Sequence, residues 1–449
     1  MLRWPAVRAG VEGRSMPTMK SVRLNLLDEL YLNLDQREEP WVVHFEVRVT
    51  GRLDSDRVAN AVTAAAARHP IARARLARWR GTDRSYRWEI ADTLDVPLTI
   101  VQCATEADLE AARERLYSVS PSLELAPPFV AVLAHTPTGA ALLLNLHHAA
   151  GDGTGARRLM LSILRAYAGV QDPLPPLDPL RVRDVHALAG AVSAAQRAER
   201  RREVYREAFE RLVPTARVAV DGGDGGPGSA FELLALSVEE TQALRARRTP
   251  DATVNDVLLA GLAVAIERWN REHRQPAHRI ALSMPVNLRP PEWQNEVLAN
   301  FASYSTVSLG GGQRDDLRSA VGAASERTRT IKEHGLAGVL VDRLQTMSAM
   351  PVAVKRRLPD LIPLTGNVVV DTASLSNLGP LEGFPWLGED AGEVEAVWFS
   401  PPNRMPLGAS FGAATLEGRL HLALRYRRTQ FGSDAARSFA QLYRDVLTT

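Results

Sequence analysis

The chain has 449 residues, too many for one apolar core, since single cores stop growing near roughly 250–300 residues and longer chains divide. With 45% hydrophobic and 24% charged residues its composition is globular, which excludes collagen-like, fibrous and disordered classes. Lys plus Arg (54) against Asp plus Glu (52) leaves a net charge of +2, too weak a field to argue for nucleic acid or an anionic membrane as partner.

One cysteine, Cys103, leaves no internal disulfide framework and no Cys-based metal cluster from this chain alone, so a reducing, cytoplasmic setting is expected. The longest apolar run, Val257 to Ile266, is closed by Asp256 and Glu267 and falls well short of the roughly 20 residues that span a bilayer. The first twenty residues are broken by Pro5, Gly10, Gly13 and Pro17, which argues against a signal peptide and for a flexible N-terminus over 1–20. A monomer is expected.

The first strand is predicted at Trp41 to Thr50, where Val43, Phe45, Val47 and Val49 alternate with His44, Glu46 and Arg48, one face buried and the other partly wet. Gly51 ends it, and Asp54 or Ser55 caps a helix through Arg68 that Pro70 stops. Two apolar runs, Phe129 to His135 and Ala140 to Leu146, flank a turn at Thr136-Pro137-Thr138-Gly139 and form a hairpin that leads straight into His147. Thr154 offers an N-cap to a helix reaching about Ala168. Ala194 to Leu212 interleaves Arg and Glu at helical spacing, the pattern of a solvated, ion-paired helix, with a docking face for a carrier protein as the sharper alternative.

Asp221 to Gly228, nearly all Gly and Asp, reads as the linker between one domain over 21–220 and another over 229–449. Beyond it come a strand at Phe231 to Leu236, a capping box from Ser237 to Glu240, and a helix from Thr253 to Trp269 capped by Thr253. Strands follow at Arg279 to Pro285, Ser303 to Leu309, Asn367 to Ala373, Val394 to Phe399, Leu407 to Ala414 and Arg419 to Tyr426. Helices fill Asp315 to Glu333 and Ser433 to Leu447. Both halves therefore mix sheet and helix, and the fold class is mixed α/β.

The stretch His147-His148-Ala149-Ala150-Gly151-Asp152-Gly153 sets two histidines, an acid and two glycines where a buried strand becomes a helix. Imidazole suits general base work because its ordinary pKa, about 6.5, leaves it largely neutral near pH 7. Neighbouring residues at a strand end point opposite ways, so only one histidine can face a given cleft. Other readings remain open for these residues: a pair of satisfied core histidines, or a metal site of His147, His148 and Asp152, which lacks a second cluster at ligand spacing. No G-x-S-x-G elbow supports a serine hydrolase, and Gly310-Gly311-Gly312 lacks the Lys and Ser of a phosphate loop.

The same stretch is a complete HHxxxDG motif and resembles the active-site signature of the acyltransferase superfamily that includes chloramphenicol acetyltransferase-like folds, nonribosomal peptide condensation domains and mycolipid alcohol acyltransferases. Leu27-Asp28-Glu29-Leu30-Tyr31-Leu32, Ala67 to Arg75, Thr253 to Ala260, Met284-Pro285-Val286-Asn287-Leu288-Arg289 and Leu375-Ser376-Asn377-Leu378-Gly379 resemble further family segments, in order. The resemblance implies two chloramphenicol acetyltransferase-like subdomains in a V-shaped pseudodimer with a tunnel between them. It implies His148 as general base, with His147, Asp152 and Arg289 structural and Asp152 paired to Arg289. Gly151, Gly153, Ser376 and Asn377 would lie along the tunnel, Gly153 leaving room for a pantetheine arm or offering a backbone N–H.

The implied reaction moves an acyl group from acyl-coenzyme A or an acyl or peptidyl carrier protein to a small hydroxyl or amine acceptor, with no cofactor and no metal. Ser410-Phe411-Gly412-Ala413-Ala414 stands where plant acyltransferases carry a DFGWG-type segment, and the proline-leucine-tryptophan triplet of wax ester synthases is missing. Those departures disfavour the plant and lipid-storage classes, and one such unit with no adjoining adenylation or carrier module resembles a free-standing condensation-type enzyme or O-acyltransferase of bacterial secondary metabolism or complex-lipid assembly. The alternative is a condensation-like module that has lost catalysis and recruits partners.

Overall fold

The computed structural model describes residues 20–449 except 93, 95–97, 174–176, 224, 227, 291–292, 294–297 and 363–369. Three sheets organise the chain. A small antiparallel sheet joins β1 (Lys20–Arg23), β3 (Ala74–Leu76) and β4 (Arg87–Ile90) in the order β1-β4-β3. Lys20, expected in the flexible terminus, already pairs with Ile90.

The second sheet runs β12-β2-β7-β6-β5, built from β2 (Val42–Val49), β5 (Leu98–Gln102), β6 (Phe129–Thr136), β7 (Gly139–His147) and β12 (Val394–Ser400). Its centre is the expected hairpin, β6 and β7 pairing antiparallel up to Thr136 opposite Gly139, with Pro137 and Thr138 as the two-residue turn. Its edge is filled from the far end of the chain. Val394 to Ser400 pairs antiparallel with Val49 to His44, so the second half of the sequence supplies a strand to the first half's sheet.

The third sheet runs β10-β9-β11-β13-β14-β8, with β8 (Ser229–Ala235), β9 (Arg279–Asn287), β10 (Ala302–Gly310), β11 (Ala373–Pro380), β13 (Ala409–Leu416) and β14 (Arg419–Arg427). β11 is parallel to both neighbours while the remaining pairs are antiparallel, a mixed sheet.

Helices cover the faces. α1 (Leu26–Leu34), α2 (Ser55–Arg68), α3 (Glu106–Tyr117) and α4 (Gly153–Ala168) belong to the first half, with the short α5 (Val185–Ala189) and the charged α6 (Ala194–Glu210) leading toward the second. The second half adds α7 (Val238–Ala246), α8 (Val254–Glu272), α9 (Leu317–Glu333), α10 (Gly338–Met347), α11 (Val352–Arg357) and α12 (Ser433–Thr448). Thr253 with Asp256 and Ser237 with Glu240 form reciprocal capping boxes that start α8 and α7.

Several expectations need correction. The polar face of β2 is wet only at Arg48: His44 and Glu46 are fully buried, and Arg113 of α3 donates to Glu46 at 2.6 and 2.9 Å. That helix had no place in the sequence reading, and it turns an exposed-looking strand face into a covered one. α4 is capped by Asp152, whose side chain accepts from the Gly155 N–H, so the helix begins at Gly153 and Thr154 lies inside it. α6 stops at Glu210, held by Arg206 to Glu203 within the helix and by Arg327 to Glu203 and Arg200 to Asp342 beyond it, while Tyr205 and Phe209 stay exposed. Of the strand expected at Asn367 to Ala373, 367–369 lie outside the described residues and β11 begins only at Ala373, so Leu375 to Gly379 is strand throughout. In the glycine-rich 221–228 stretch, Asp221 is anchored by its N–H to the Gln430 carbonyl at 3.1 Å.

The two larger sheets meet where β12 crosses β13. A Cβ built on Gly412 would lie 1.7 Å from the Phe399 carbonyl oxygen, so only glycine permits this approach. Gly412→Ala is expected to cost at least the roughly 1–3 kcal/mol of an overpacked core. Gly322→Ala, inside α9 with nothing within 4 Å of the added Cβ, should instead gain about 0.5–1 kcal/mol. Paired denaturant melts of the two variants check the contrast.

Candidate active site

β7 ends at His147, opposite Val42, and the next residues leave the strand to form the motif loop. The His147 Nδ1 accepts from the Ala149 N–H at 3.1 Å, and its Nε2 lies 3.5 Å from Asp35 Oδ2. With Nδ1 as acceptor, the neutral ring carries its proton on Nε2 and directs it at the carboxylate, an assignment made from the hydrogen bonds. Burial pushes the Asp35 carboxyl up, but hydrogen bonds from His147, Ser120 and the Trp41 N–H outweigh it and hold the pKa below the ordinary value. His147 is thereby spent on fixing the strand end.

His148 turns the other way. Its ring packs against Tyr31 at a 36° tilt with centroids 3.9 Å apart, and the residue is 5% exposed. Its N–H donates to the Trp41 carbonyl at 3.0 Å and its carbonyl accepts from Asn300 Nδ2 at 2.7 Å. Its Nδ1 is buried without a partner among the described residues. Burial lowers the imidazole pKa to about 4, against upward pulls from its own carbonyl and the Asp152 charge. At pH 7 the ring is neutral and holds a free lone pair.

Asp152 accepts five hydrogen bonds: Arg289 Nη1 and Nη2, each at 2.8 Å, and the N–H groups of Gly155, Phe301 and Ala302. Burial raises its pKa, but the Arg289 charge and these bonds overcome the effect and keep the carboxylate ionised. Arg289 also donates to the Ala299 carbonyl at 2.8 Å and lies over the Phe301 ring, 4.7 Å from its centroid. Asp152 therefore cements the loop to the segment before β10, and its described partners do not include the imidazole.

A second tie joins three elements around the same loop. Asn300, which holds the His148 carbonyl, also donates to Asp28 Oδ1 at 3.1 Å, and Asp28 in turn accepts from Trp88 Nε1 at 3.2 Å and from Arg183. Asn300, Trp41 and Tyr304 were not singled out in the sequence, and Asp28 and Tyr31 stood there only as part of a family segment. Asn300 lies in Leu298-Ala299-Asn300-Phe301, which carries no motif; only its contact reveals it.

Side chains pack closely against both loop glycines. A Cβ at Gly153 would lie 2.6 Å from the Phe399 ring and 3.2 Å from Leu378, and one at Gly151 would lie 2.9 Å from Leu146 and 3.0 Å from Leu298. In the Cβ direction the space at Gly153 is filled by side chains and leaves no room for a pantetheine arm there. Ser376 is buried on β11, and Asn377 Oδ1 accepts from the Gly379 N–H at 2.8 Å. Ser374, two residues earlier, lines the nearby cavity instead. The structure thus brings His147, His148, Asp152 and Arg289 together, and sets Ser376 and Asn377 on the neighbouring strand. Among the described residues no three His, Cys, Asp or Glu side chains form a metal-sized group.

A family model of the Condensation domain matches residues 30–349, which include the motif loop, Arg289 and Asn300. The chain belongs to the condensation-domain family. Uncharacterized protein Rv2305 of Mycobacterium tuberculosis (strain ATCC 25618 / H37Rv) is 38% identical to this condensation domain over 437 residues, covering 96% of this chain and 100% of the relative. Among solved structures, the first condensation domain of the calcium-dependent antibiotic synthetase, in complex with a substrate analogue, aligns with a TM-score of 0.70 at 15% identity over 96% of each chain. The SgcC5 protein from Streptomyces globisporus aligns with a TM-score of 0.64 at 18% identity, covering 95% of this chain and 98% of that one. At these identities the likeness is one of fold, and it confirms the mixed α/β class. No helix among the described residues is long and apolar enough to cross a membrane.

Removing either partner of the buried Asp152–Arg289 pair leaves the other uncompensated. Asp152→Ala and Arg289→Ala are each expected to cost about 3–5 kcal/mol. The double variant should lose clearly less than the sum, because the two groups share one interaction. Thermal melts of the three variants measure this.

Proposed function

We propose that this condensation domain transfers an acyl group from a phosphopantetheine thioester, carried by coenzyme A or by an acyl or peptidyl carrier protein, to the hydroxyl or amine of a small acceptor. The product is an ester or an amide. The observation that carries the reading is His148: a buried imidazole, neutral at pH 7, held by its backbone at both Trp41 and Asn300 while its ring is left to a tilted contact with Tyr31. Such a group can take a proton without first losing one.

In the proposed step, His148 accepts the proton of the acceptor's O–H or N–H as that atom attacks the thioester carbonyl. A C–O or C–N bond forms, the C–S bond breaks, and the departing sulfur receives the proton from the imidazolium. No covalent enzyme intermediate and no cofactor enters the scheme. The reaction sits where the two halves of the chain meet, since His148 comes from the first and Asn300, Tyr304 and Arg289 come from the second. The family match and the Asp152–Arg289 tie support this placement.

His148→Ala should lower turnover by roughly 10²–10⁴, the usual contribution of a general base, while the melting temperature moves by only a few degrees. Intact-mass detection of acyl transfer from a panel of acyl-coenzyme A and carrier-loaded donors provides the assay. An alanine variant that keeps most of the activity would overturn the general-base assignment, and a wild type that transfers nothing from any donor would return the chain to a recruitment role.

The depressed imidazole pKa also sets a pH dependence. The folded value is about 4 and the unfolded one about 6.5, so between these pH values the unfolded chain binds a proton that the folded chain does not. Stability contributed by neutral His148 is complete above pH 6.5 and is lost as pH falls toward 4, at up to roughly 1.4 kcal/mol per unit. Burial depresses His44 and His421 to about 4 as well. Melts from pH 7.5 to 4.5 should show a falling melting temperature, with a shallower fall in His148→Ala. The acid limb of kcat/KM should lie well below 6.5 wherever the fold persists.

A further inference from the structure

Beside the motif loop lies a cavity of about 200 Å³ whose walls come from both halves of the chain. The sheet forms one wall: Tyr304 is paired with Pro285 and Ser283 with Ser374, which sets these four on one face across β10, β9 and β11. The opposite wall is Trp41, whose carbonyl accepts the His148 N–H. Met405 and Leu407, in the loop after β12, also line the cavity, with Met405 37% exposed. That loop is pinned to the first half, because Arg404 pairs with Glu39 at 2.9 Å and the Met405 N–H donates to Glu39 at 2.9 Å. Tyr304 stands edge-on to Tyr31 with ring centroids 6.1 Å apart, and Tyr31 packs against His148.

We propose that this cavity is the specificity pocket of the enzyme and takes an uncharged apolar group, the size of one aromatic ring or a short branched alkyl chain, belonging to one of the two substrates. The proposal rests on the acyl-transfer reading for its place in the reaction and on the cavity alone for its chemistry. The lining is apolar apart from the serines, the Tyr304 hydroxyl and Arg404, whose Nε pairs with Glu39 while its Nη1 is buried without a partner among the described residues. An apolar cavity of roughly 150 Å³ takes up benzene, so about 200 Å³ is room enough for one ring. The Trp41 indole N–H and the Ser374 hydroxyl are buried without partners among the described residues. A carbonyl or ether oxygen on the guest would satisfy one of them, at a place where an unmet buried donor is otherwise costly.

Met405 and Leu407 line the cavity and are not among the groups assigned to proton transfer. The test is equilibrium binding, by calorimetry, of two neutral series. The donor arm uses S-acyl-N-acetylcysteamine thioesters with acetyl, butanoyl, benzoyl and dodecanoyl groups; the acceptor arm uses ethanol, 1-butanol, benzyl alcohol and 1-dodecanol. In one arm affinity should rise about threefold to fourfold per buried methylene, peak near ring size, and fall or level for the twelve-carbon member. The arm that responds identifies which substrate owns the pocket.

Leu407→Trp should weaken the ring-sized member at least tenfold and leave the two-carbon member unchanged. Met405→Ala should shift the peak to larger members, and it serves alone if Leu407→Trp does not fold. Flat affinity in both arms for the wild type, or an unshifted peak in folded Met405→Ala, overturns the proposal. Transfer assays on the same compounds separate the two readings: size-selective binding without any acyl transfer would defeat the proposed reaction and leave the pocket standing.

Discussion

The carboxylate of Asp152 must find partners for both oxygens in a place from which water is excluded, and everything around the motif loop is arranged by how it does so. Arg289 meets it as a planar fork, the geometry in which a guanidinium binds a carboxylate best. Three backbone N–H groups complete the shell. A buried ion pair is weak evidence for stability, since its desolvation offsets most of its attraction. Its value here is positional: it starts α4, orients the loop, and draws the segment leading into β10 against the end of β7. The position of His148 follows from that constraint.

The histidine pair shows how one strand end serves two purposes. His147 is consumed by Ala149 on one nitrogen and Asp35 on the other, which leaves no lone pair for chemistry. His148 has its backbone secured at N–H and carbonyl, and its ring lies tilted against Tyr31 with Nδ1 unpartnered among the described residues. A base depressed to about 4 by burial is a weak one in the resting state. In the proposed transfer, burial would also strengthen its interaction with the charge that develops, so the same exclusion of water would act on both sides of the barrier.

Much of this was legible in the sequence, and the exceptions have identifiable causes. Period-two and helical patterns located β2, β6, β7, α2, α4 and α8 because each buries a face that composition alone reveals. The motif loop and the Asp152–Arg289 pairing were readable through the family resemblance. The cap of α4 was misplaced because Thr154 and Asp152 both suit the position, and only the carboxylate's need for donors decides between them. α3 was missed because its buried stripe includes Arg113, which reads as a solvent residue until Glu46 is seen opposite. Gly153 was read as space for a ligand, since nothing in the chain order announces that Phe399 packs there. Asn300 was invisible for the same reason: its role lies in contacts with Asp28 and the His148 carbonyl, both far away in sequence.

The strand that Val394 to Ser400 lends to the first half's sheet has a consequence for biosynthesis. A ribosome delivers β2 some 350 positions before β12, as the numbering of the two strands dictates. Throughout that interval β2 presents an open edge of N–H and C=O groups, and the site that Phe399 will occupy above Gly153 stays empty. Exposed edges of this kind recruit strands from other chains, and non-local pairings of such separation form late. The nascent first half therefore emerges as an unfinished sheet. Its need for protection from aggregation ends only once Val394 to Ser400 has been made and has paired.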